Sequence, residues 1–317
     1  MMWKTTLIIY IFSASYISAI LCNKYVLSVL QFTLPTLFQG WQTFTAATTI
    51  FAAHYSGHLQ VRRLTPGGVV EWLPASLSFI GIIYAGSRAL SHIPIPMFLL
   101  IRNSVESSIE ISRWIVQRTL PGVQKLVGSV LTVLSAVALW QVDSQYDREG
   151  YIWLFYHMVF LVGYKLYAEF KSTELSSMEK LWCNSITSVV LLAPGSILLG
   201  HVQDAWDFPL LTHTHFHVAF LASGPLAACV GITGILVQEG TKFPDYISCT
   251  VKTLTILMSL MVFHVTLTTT AFLCILTGIA GEVLQKIDVQ DFSARLDLKP
   301  EERTRLSSHS MEITTET

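Results

Sequence analysis

The sequence has too few charged residues to cover the surface of a water-soluble protein. Only 13% of its 317 residues are Asp, Glu, Lys or Arg, whereas 52% are hydrophobic. An average soluble domain has about 25% charged residues. The composition therefore excludes an ordinary soluble enzyme or binding domain and indicates a protein that lies in a lipid bilayer.

Sequence motifs of catalysis and metal binding are also missing. There is no glycine-rich phosphate loop, no HExxH zinc motif and no Ser/His/Asp constellation. The five cysteines fall in apolar stretches without paired spacing, so we expect free thiols. The loop HTHFH has histidines at alternate positions, but no Cys or Glu completes a metal site. We predict a protein that is not an enzyme, with no cofactor, no metal and no nucleic-acid partner.

What the chain does have is a series of long hydrophobic runs joined by short connections. Each run has about the length that spans a hydrocarbon core of ~30 Å. We therefore predict an all-α polytopic membrane protein with ten transmembrane helices, formed by residues 1–289. Residues 290–317 are polar and are predicted to form a disordered cytosolic tail. The runs are 6–23, 34–54, 69–87, 94–112, 123–141, 151–168, 181–200, 216–236, 245–265 and 270–287.

Lysine and arginine are distributed unevenly between the two sides of the predicted bundle. Only Arg88 and Arg148 fall on the side opposite to the termini. Because cytoplasmic loops of membrane proteins carry an excess of Lys and Arg, both termini are predicted to face the cytosol. The residues on the side of the termini are Lys4, Arg62, Arg63, Arg113, Arg118, Lys125, Lys171, Lys180, Lys242, Lys286, Arg295, Lys299, Arg303 and Arg305.

Four further basic residues, Lys24, Arg102, Lys165 and Lys252, lie within or at the border of a predicted span. A basic side chain at the bilayer centre costs about 2.5–3.5 kcal/mol on insertion scales, and such residues usually face a cavity. Lys24 and Lys165 can instead extend to the interface, and Arg102 can pair with Glu106 one helical turn later. For Lys252 a purely structural role is the weaker interpretation.

The three asparagines, Asn23, Asn103 and Asn184, all lie in apolar segments. Asparagine prefers turns and helix caps, so its restriction to predicted spans is unusual. Two interpretations remain open. The side chains either bind a solute in a central cavity or join neighbouring helices, where a hydrogen bond contributes about 0.6 kcal/mol.

Three stretches resemble signatures of the nucleotide-sugar transporters in the drug/metabolite transporter superfamily. NKYVLSVLQFTLPTLFQGWQT, from Asn23, resembles the signature of the first two spans. IPIPMFLLIRN resembles a fourth-span pattern that ends in a Lys-Asn pair, here Arg102 and Asn103, and GYIW resembles the entry to the sixth span. LPASLSFIGIIYAGSRALS is closest to the transmembrane protein 241 branch, described as similar to the yeast Golgi GDP-mannose transporter.

This resemblance, which covers about residues 20–290, implies two inverted repeats of five helices around a central site. It implies a Golgi membrane location, with the endoplasmic reticulum as second choice, and exchange of a cytosolic nucleotide sugar for a lumenal nucleoside monophosphate. A homodimer remains open. Together with the basic and amide residues above, it predicts a substrate site of Lys252, Arg102, Asn103, Asn184, Lys24, Asn23, Trp182, Ser248 and Tyr25.

Two family motifs bear on the substrate. LWCN matches the FYNN of the GDP-mannose branch; it keeps Trp182 and Asn184 but has Cys183 in place of one amide. SCTVK matches GALNK; it keeps Lys252 but has Val251 in place of the asparagine. Loss of base-reading amides argues against guanine, so we expect a UDP-sugar, with UDP-N-acetylglucosamine first. The alternatives are GDP-mannose, another organic anion such as a sugar phosphate, or no transport at all.

Overall fold

The computed structural model describes residues 2–59, 65–118, 121–241, 243–263, 265 and 267–286. Over these residues the regular structure is helical throughout, with ten long helices and one short one. The predicted tail, 290–317, lies outside the described residues. The helices are α1 (Met2–Lys24), α2 (Pro35–Tyr55), α3 (Pro66–His92), α4 (Ile95–Gln117), α5 (Val123–Val142), α6 (Arg148–Phe170), α7 (Ser177–Leu198), α8 (His201–Trp206), α9 (Thr214–Gly240), α10 (Pro244–Val262) and α11 (Thr269–Lys286).

Each of the ten predicted runs overlaps one long helix. Six of these helices, α1, α3, α5, α7, α9 and α10, are long and apolar enough to cross a membrane on length and composition alone. Helix α4 does not meet that composition because it carries Arg102, Glu106, Glu110 and Arg113. The structure therefore shows a polytopic helical membrane protein, as the composition predicted.

Local sequence signals explain where the helices begin and end. α7 begins with a capping box, in which Ser176 and Glu179 bond each other's backbone N–H groups. Asp147 caps α6 by accepting bonds from the N–H groups of Glu149 and Gly150. Helices α2, α3, α4 and α10 have proline in the first turn, where its missing N–H costs nothing. α1 continues into a π-helical turn at Tyr25–Val29.

The long helices pack in a regular set of pairs. α5 lies along α11, α2 along α7, α3 along α6 and α1 along α9. α2 also contacts α9, and α3 contacts α7; α4 contacts α6 and α10, and α1 contacts α10. Helices α4 and α10 thus contact each other, and both also contact α11.

Small residues let α5 and α11 approach until their backbones touch. A Cβ atom on Gly281 would lie 2.8 Å from the backbone nitrogen of Thr132. A Cβ atom on Gly128 would lie 2.5 Å from the backbone nitrogen of Gln285. Because neither backbone can move away without separating the helices, this contact fixes α11 against α5.

The largest cluster of buried apolar side chains lies where α3 and α5 end and α4, α6 and α9 begin. It includes Ile93, Ile95 and Leu139, which are at most 1% exposed. Phe32 and Phe216 contribute an aromatic contact there, with ring centroids 5.1 Å apart. We call this region the sealed end, because buried apolar side chains fill it.

Candidate functional site

A cavity of about 640 Å³ lies towards the other end of the bundle. Seven helices line it: α1, α4, α5, α6, α9, α10 and α11. It extends from helix termini at Lys125 and Pro244 to Arg102 and Lys252 in the middle of α4 and α10. Ligand pockets for drug-sized molecules are typically ~300–1,000 Å³, so the space suits a molecule of that class.

Charged side chains dominate the lining, and basic ones are in excess. The acidic lining residues are Glu106, Glu110 and Asp245. A cleft lined by one excess sign of charge, with low-dielectric walls, attracts a ligand of the opposite sign. The cavity is therefore suited to an anion. Its basic lining residues are Arg102, Arg113, Lys125, Lys165, Lys252 and Lys286.

At the inner part of the cavity, Lys252, Asn103 and Glu282 form a closed hydrogen-bonded group. The Lys252 ammonium donates to Oε1 of Glu282 at 2.6 Å and to Oδ1 of Asn103 at 3.0 Å. The Asn103 amide in turn donates to Oε2 of Glu282 at 2.6 Å. Glu282 is only 4% exposed and stands behind the lining. The group therefore fixes one cation at the cavity surface.

A second set of ion pairs extends from this group along the cavity wall. Lys286 lies 3.5 Å from Glu282 and 3.9 Å from Glu106. Glu106 also accepts a bond from Lys165, so Lys165 points into the bundle rather than out to the interface. The carboxylates of Glu106 and Glu282 are thus shared among three lysines, Lys165, Lys252 and Lys286.

Arg102 differs from these lysines. Over the part of the chain that the structure describes, its guanidinium forms no ion pair. The alternative pairing with Glu106, one turn later, does not occur, because Glu106 bonds Lys165 instead. Arg102 lines the cavity beside Tyr16 of α1, whose ring lies 5.9 Å from that of Phe12. An arginine without a carboxylate partner can donate two parallel hydrogen bonds from its guanidinium group to a ligand.

The structure brings together four of the nine predicted site residues. Lys252, Arg102, Asn103 and Ser248 all line the cavity. Ser248 is one turn before Lys252 on α10, so the helical period places both on the cavity face.

Three other predicted residues lie towards the sealed end. The Lys24 ammonium is buried and donates to the carbonyl oxygens of Leu90 and Ile93, both at 2.9 Å. Asn23 accepts a bond from the Gln42 amide at 2.9 Å. Tyr25 is the first residue of the π-helical turn. None of the three lines the cavity.

The remaining two, Asn184 and Trp182, lie on α7 and also do not line the cavity. Asn184 is 1% exposed and accepts bonds from the Trp72 indole and the Ser76 hydroxyl, both at 2.9 Å. It donates to the Tyr164 hydroxyl at 3.1 Å. In this structure Asn184 therefore joins α3, α6 and α7, which corresponds to the second interpretation of the asparagines.

Several lining residues were not singled out from the sequence. Phe12 and Tyr16 looked like ordinary apolar positions of the first span, and Lys286 was counted with the basic residues of the cytosolic side. Glu282 had a signal in the sequence, since it follows Gly278 and Gly281 and is the only charged residue between Ala271 and Leu284 of α11. A buried carboxylate beside a close-packing face needs a cation from another helix.

No protein-family model matches the chain. It is 37% identical to the "UDP-N-acetylglucosamine transporter TMEM241 homolog" of Xenopus laevis and 35% identical to the "UDP-N-acetylglucosamine transporter TMEM241" of Mus musculus. Both matches span 277 residues and cover 86% of this chain and 93% of the relative. A "GDP-mannose transporter" of Aspergillus oryzae is 24% identical, covering 71% of this chain and 64% of the relative. A solved crystal structure matches with a TM-score of 0.55 and 13% sequence identity, covering 89% of this chain and 96% of the other. This match shows only that the two chains share a fold.

Proposed function

Since the chain belongs to the TMEM241 family of nucleotide-sugar transporters, we propose that it exchanges a UDP-sugar for a nucleoside monophosphate across the Golgi membrane. UDP-N-acetylglucosamine is the first candidate substrate. The observation that carries the proposal is the basic cavity, in which cations from separate helices face one space of about 640 Å³.

The diphosphate of a nucleotide sugar carries about two negative charges, and the cavity offers suitable groups. Arg102 can bind two phosphate oxygens at once through its guanidinium fork. Lys252 supplies a second charge from α10, and Asn103 and Ser248 add polar contacts. The aromatic rings of α1 at Phe12 and Tyr16 form one wall, where we place the base.

The helix pairs support the proposed inverted repeats. If α1 to α5 correspond in order to α6, α7, α9, α10 and α11, then the α3–α6 contact maps onto α9–α1. In the same way α4–α6 maps onto α10–α1, and α2–α9 onto α7–α3. The pairs α2–α7, α4–α10 and α5–α11 map onto themselves. If all ten long helices cross the membrane, the odd number of helices in each half reverses the direction of the second half, which is the arrangement of an inverted repeat.

The unequal ends of the bundle support alternating access. The sealed end is closed by apolar packing, whereas the cavity lies towards the other end. The excess of Lys and Arg in the connections on the cavity side supports a cytosolic position for that side. The structure then corresponds to a carrier that receives its substrate from the cytosol, with both termini on the same side.

The proposal of a UDP-sugar over GDP-mannose is supported by the names of the two more similar relatives. The motif positions Cys183 and Val251 give weaker support than expected, because both residues are buried and do not line the cavity. GDP-mannose is the second candidate, since further relatives at 22–26% identity are named GDP-mannose transporters.

Exchange in proteoliposomes tests the proposal. Purified protein is reconstituted with internal uridine monophosphate, and uptake of radiolabelled UDP-sugars, GDP-sugars and sugar phosphates is compared with that of empty liposomes. We expect the fastest uptake for a UDP-sugar. Faster uptake of GDP-mannose or of a sugar phosphate would overturn the substrate assignment. Equal uptake with and without internal nucleotide would overturn the exchange mechanism.

A further inference from the structure

We propose that Glu282 is a resident counter-anion of the substrate site. It holds Lys252 while the cavity is empty and gives up that cation to the phosphate of the ligand. This inference rests on the proposed function and assigns a role to a residue that touches the site through Lys252, Asn103 and Lys286. Glu282 is thus a positioning residue that also competes with the ligand for charge.

The place of Glu282 in the molecule is the first step. It follows directly after Gly281 on α11, and that glycine lies against the backbone of α5. The α5–α11 pair is therefore close-packed where Glu282 begins its side chain, and the carboxylate has little freedom to move. Lys252 and Asn103, by contrast, belong to α10 and α4, which meet across the axis of the proposed repeats.

The second step is the number of bonds that this one carboxylate accepts. Its Oε1 atom accepts from Lys252 at 2.6 Å and lies 3.5 Å from Lys286, and its Oε2 atom accepts from Asn103 at 2.6 Å. The Lys252 side chain is 15% exposed, whereas that of Glu282 is 5% exposed. A ligand in the cavity can therefore reach the lysine but not the carboxylate behind it.

The third step is the charge of the inner site. Glu282 and Glu106 together offset two of the three charges on Lys165, Lys252 and Lys286. Arg102 adds one charge that no carboxylate of the described residues offsets. A phosphate entering beside Arg102 adds negative charge close to Glu282, and the ammonium of Lys252 lies between the two anions. The ligand and Glu282 then compete for the same cation. The two anions also repel each other, since like charges at short range in a low-dielectric site repel strongly.

The consequence is a site with moderate rather than maximal affinity. A carrier must release its ligand on the far side, and a binding site with fully available cations would retain a phosphate too tightly. Glu282 lowers the free energy of the empty site and so favours release. Replacing Glu282 by the isosteric glutamine keeps a hydrogen-bonding group in place but removes the competing charge.

The test compares wild-type protein with Glu282→Gln in detergent, with uridine monophosphate as the probe. We expect Glu282→Gln to bind it about tenfold more tightly, because one repulsive charge is removed near the phosphate. We also expect a larger ligand-induced rise in Tm and, in proteoliposomes, a lower KM together with a lower maximal exchange rate. A purely structural role for Glu282 predicts the opposite, namely weaker binding and a higher KM.

Two variants serve as controls. Asp143→Asn removes a carboxylate that is 9% exposed and bonds Tyr151 at the sealed end, and it should leave the dissociation constant unchanged. The double variant Glu282→Gln with Lys286→Gln restores the net charge of the inner site. It should return the affinity to within about twofold of the wild type if the effect is electrostatic.

A measurement on the wild-type protein keeps the inference testable if Glu282→Gln does not fold. A hydrophobic carbodiimide activates a carboxylate as an acylisourea, and attack by a touching amine forms an amide and releases the carbodiimide as its urea. It should therefore join Glu282 to Lys252 in the empty protein. Saturating uridine monophosphate should suppress this cross-link while the cross-link from Glu282 to Lys286 persists. An unchanged Glu282–Lys252 yield would overturn the inference.

The outcomes separate the two proposals. If wild-type protein binds no uridine nucleotide, the proposed function fails and the role of Glu282 fails with it. If the wild type binds but Glu282→Gln binds equally or more weakly, only the role of Glu282 is overturned. Tighter binding of Glu282→Gln with unchanged KM and exchange rate would also overturn the inference, because competition between Glu282 and the ligand would then not favour release.

Discussion

The ammonium of Lys252 lies 3.0 Å from Oδ1 of Asn103, and this bond joins α10 to α4 at matching positions. Each residue lies eight positions after the first residue of its helix, Pro244 for Lys252 and Ile95 for Asn103. Under the proposed repeats these two helices are equivalent. The cation and amide of the inner site therefore meet where the two halves of the molecule face each other, which is where a carrier places its substrate.

Lys252→Ala should lower exchange of the true substrate by at least about tenfold, since one charge-assisted contact to phosphate is lost. Uptake of radiolabelled substrate into proteoliposomes, at matched amounts of reconstituted protein, measures the effect. Lys180→Ala is the matched control, because Lys180 lies over the Trp72 ring at the start of α7 and does not line the cavity. Equal loss in both variants would contradict a specific role for Lys252.

Arg102→Gln should weaken ligand binding by about tenfold or more but leave the free energy of unfolding nearly unchanged. The reason is that Arg102 forms no ion pair within the described residues, so its removal strands no carboxylate. Binding of uridine monophosphate and thermal unfolding are measured on the same preparation. Arg88→Gln is the control, since Arg88 bonds Glu149 at 2.7 Å outside the cavity. Arg102→Gln that binds like the wild type would remove Arg102 from the site.

The ten long helices could be predicted from the sequence, because the hydrophobic runs alone determine them. The site could be predicted in part: Lys252, Arg102 and Asn103 are polar residues in apolar runs, and such residues need a cavity or a partner. The sequence does not distinguish these two outcomes. Lys24 and Asn184 carry the same signal, yet Lys24 binds backbone carbonyls and Asn184 bonds three side chains.

The reason for these misses is that partners come from helices far away in sequence. The carboxylate that holds Lys252 lies thirty residues later on α11, and the indole that bonds Asn184 lies 112 residues earlier on α3. Periodicity predicts which face of a helix a residue occupies but not which other helix packs against that face. Glu106 shows the same limit, because its partner is Lys165 of α6 rather than Arg102 of its own helix.

Asn184→Ala should lower the free energy of unfolding by about 2–4 kcal/mol, because it leaves the buried donors of Trp72 and Ser76 without an acceptor. Affinity for uridine monophosphate should stay within about twofold of the wild type, as Asn184 does not line the cavity. Denaturation in detergent and ligand binding check the two parts. Ser78→Ala is a suitable control, since Ser78 is only partly buried and its hydroxyl bonds the carbonyl oxygen of Pro74 within α3. A large loss of affinity in a stable Asn184→Ala protein would return Asn184 to the substrate site.

Asp147 should contribute stability that depends on pH in a defined direction. The hydrogen bond from His92, at 2.8 Å, and those from two backbone N–H groups hold the pKa of this carboxyl below its usual value of 3.8. A carboxyl with a lowered pKa stabilises the fold above its unfolded pKa and loses that effect as pH falls through the folded pKa. The Tm difference between wild type and Asp147→Asn should be at its full size at about pH 5 and shrink below about pH 4. A difference that grows below about pH 4 would contradict this assignment.

Gly281→Ala tests the contact that fixes α11 and with it Glu282. The added methyl group would lie 2.8 Å from the backbone nitrogen of Thr132 and 3.0 Å from the carbonyl oxygen of Gly128, and backbone cannot yield as a side chain can. Overpacking of this kind typically costs about 1–3 kcal/mol, so we expect a lower Tm. We also expect a changed KM, since the separation of α5 from α11 displaces Glu282 relative to Lys252. Gly163→Ala is the matched control within a helix, because its Cβ would meet nothing within 4 Å. It should be neutral or slightly stabilising, and an equal loss in both variants would show that the α5–α11 contact is not special.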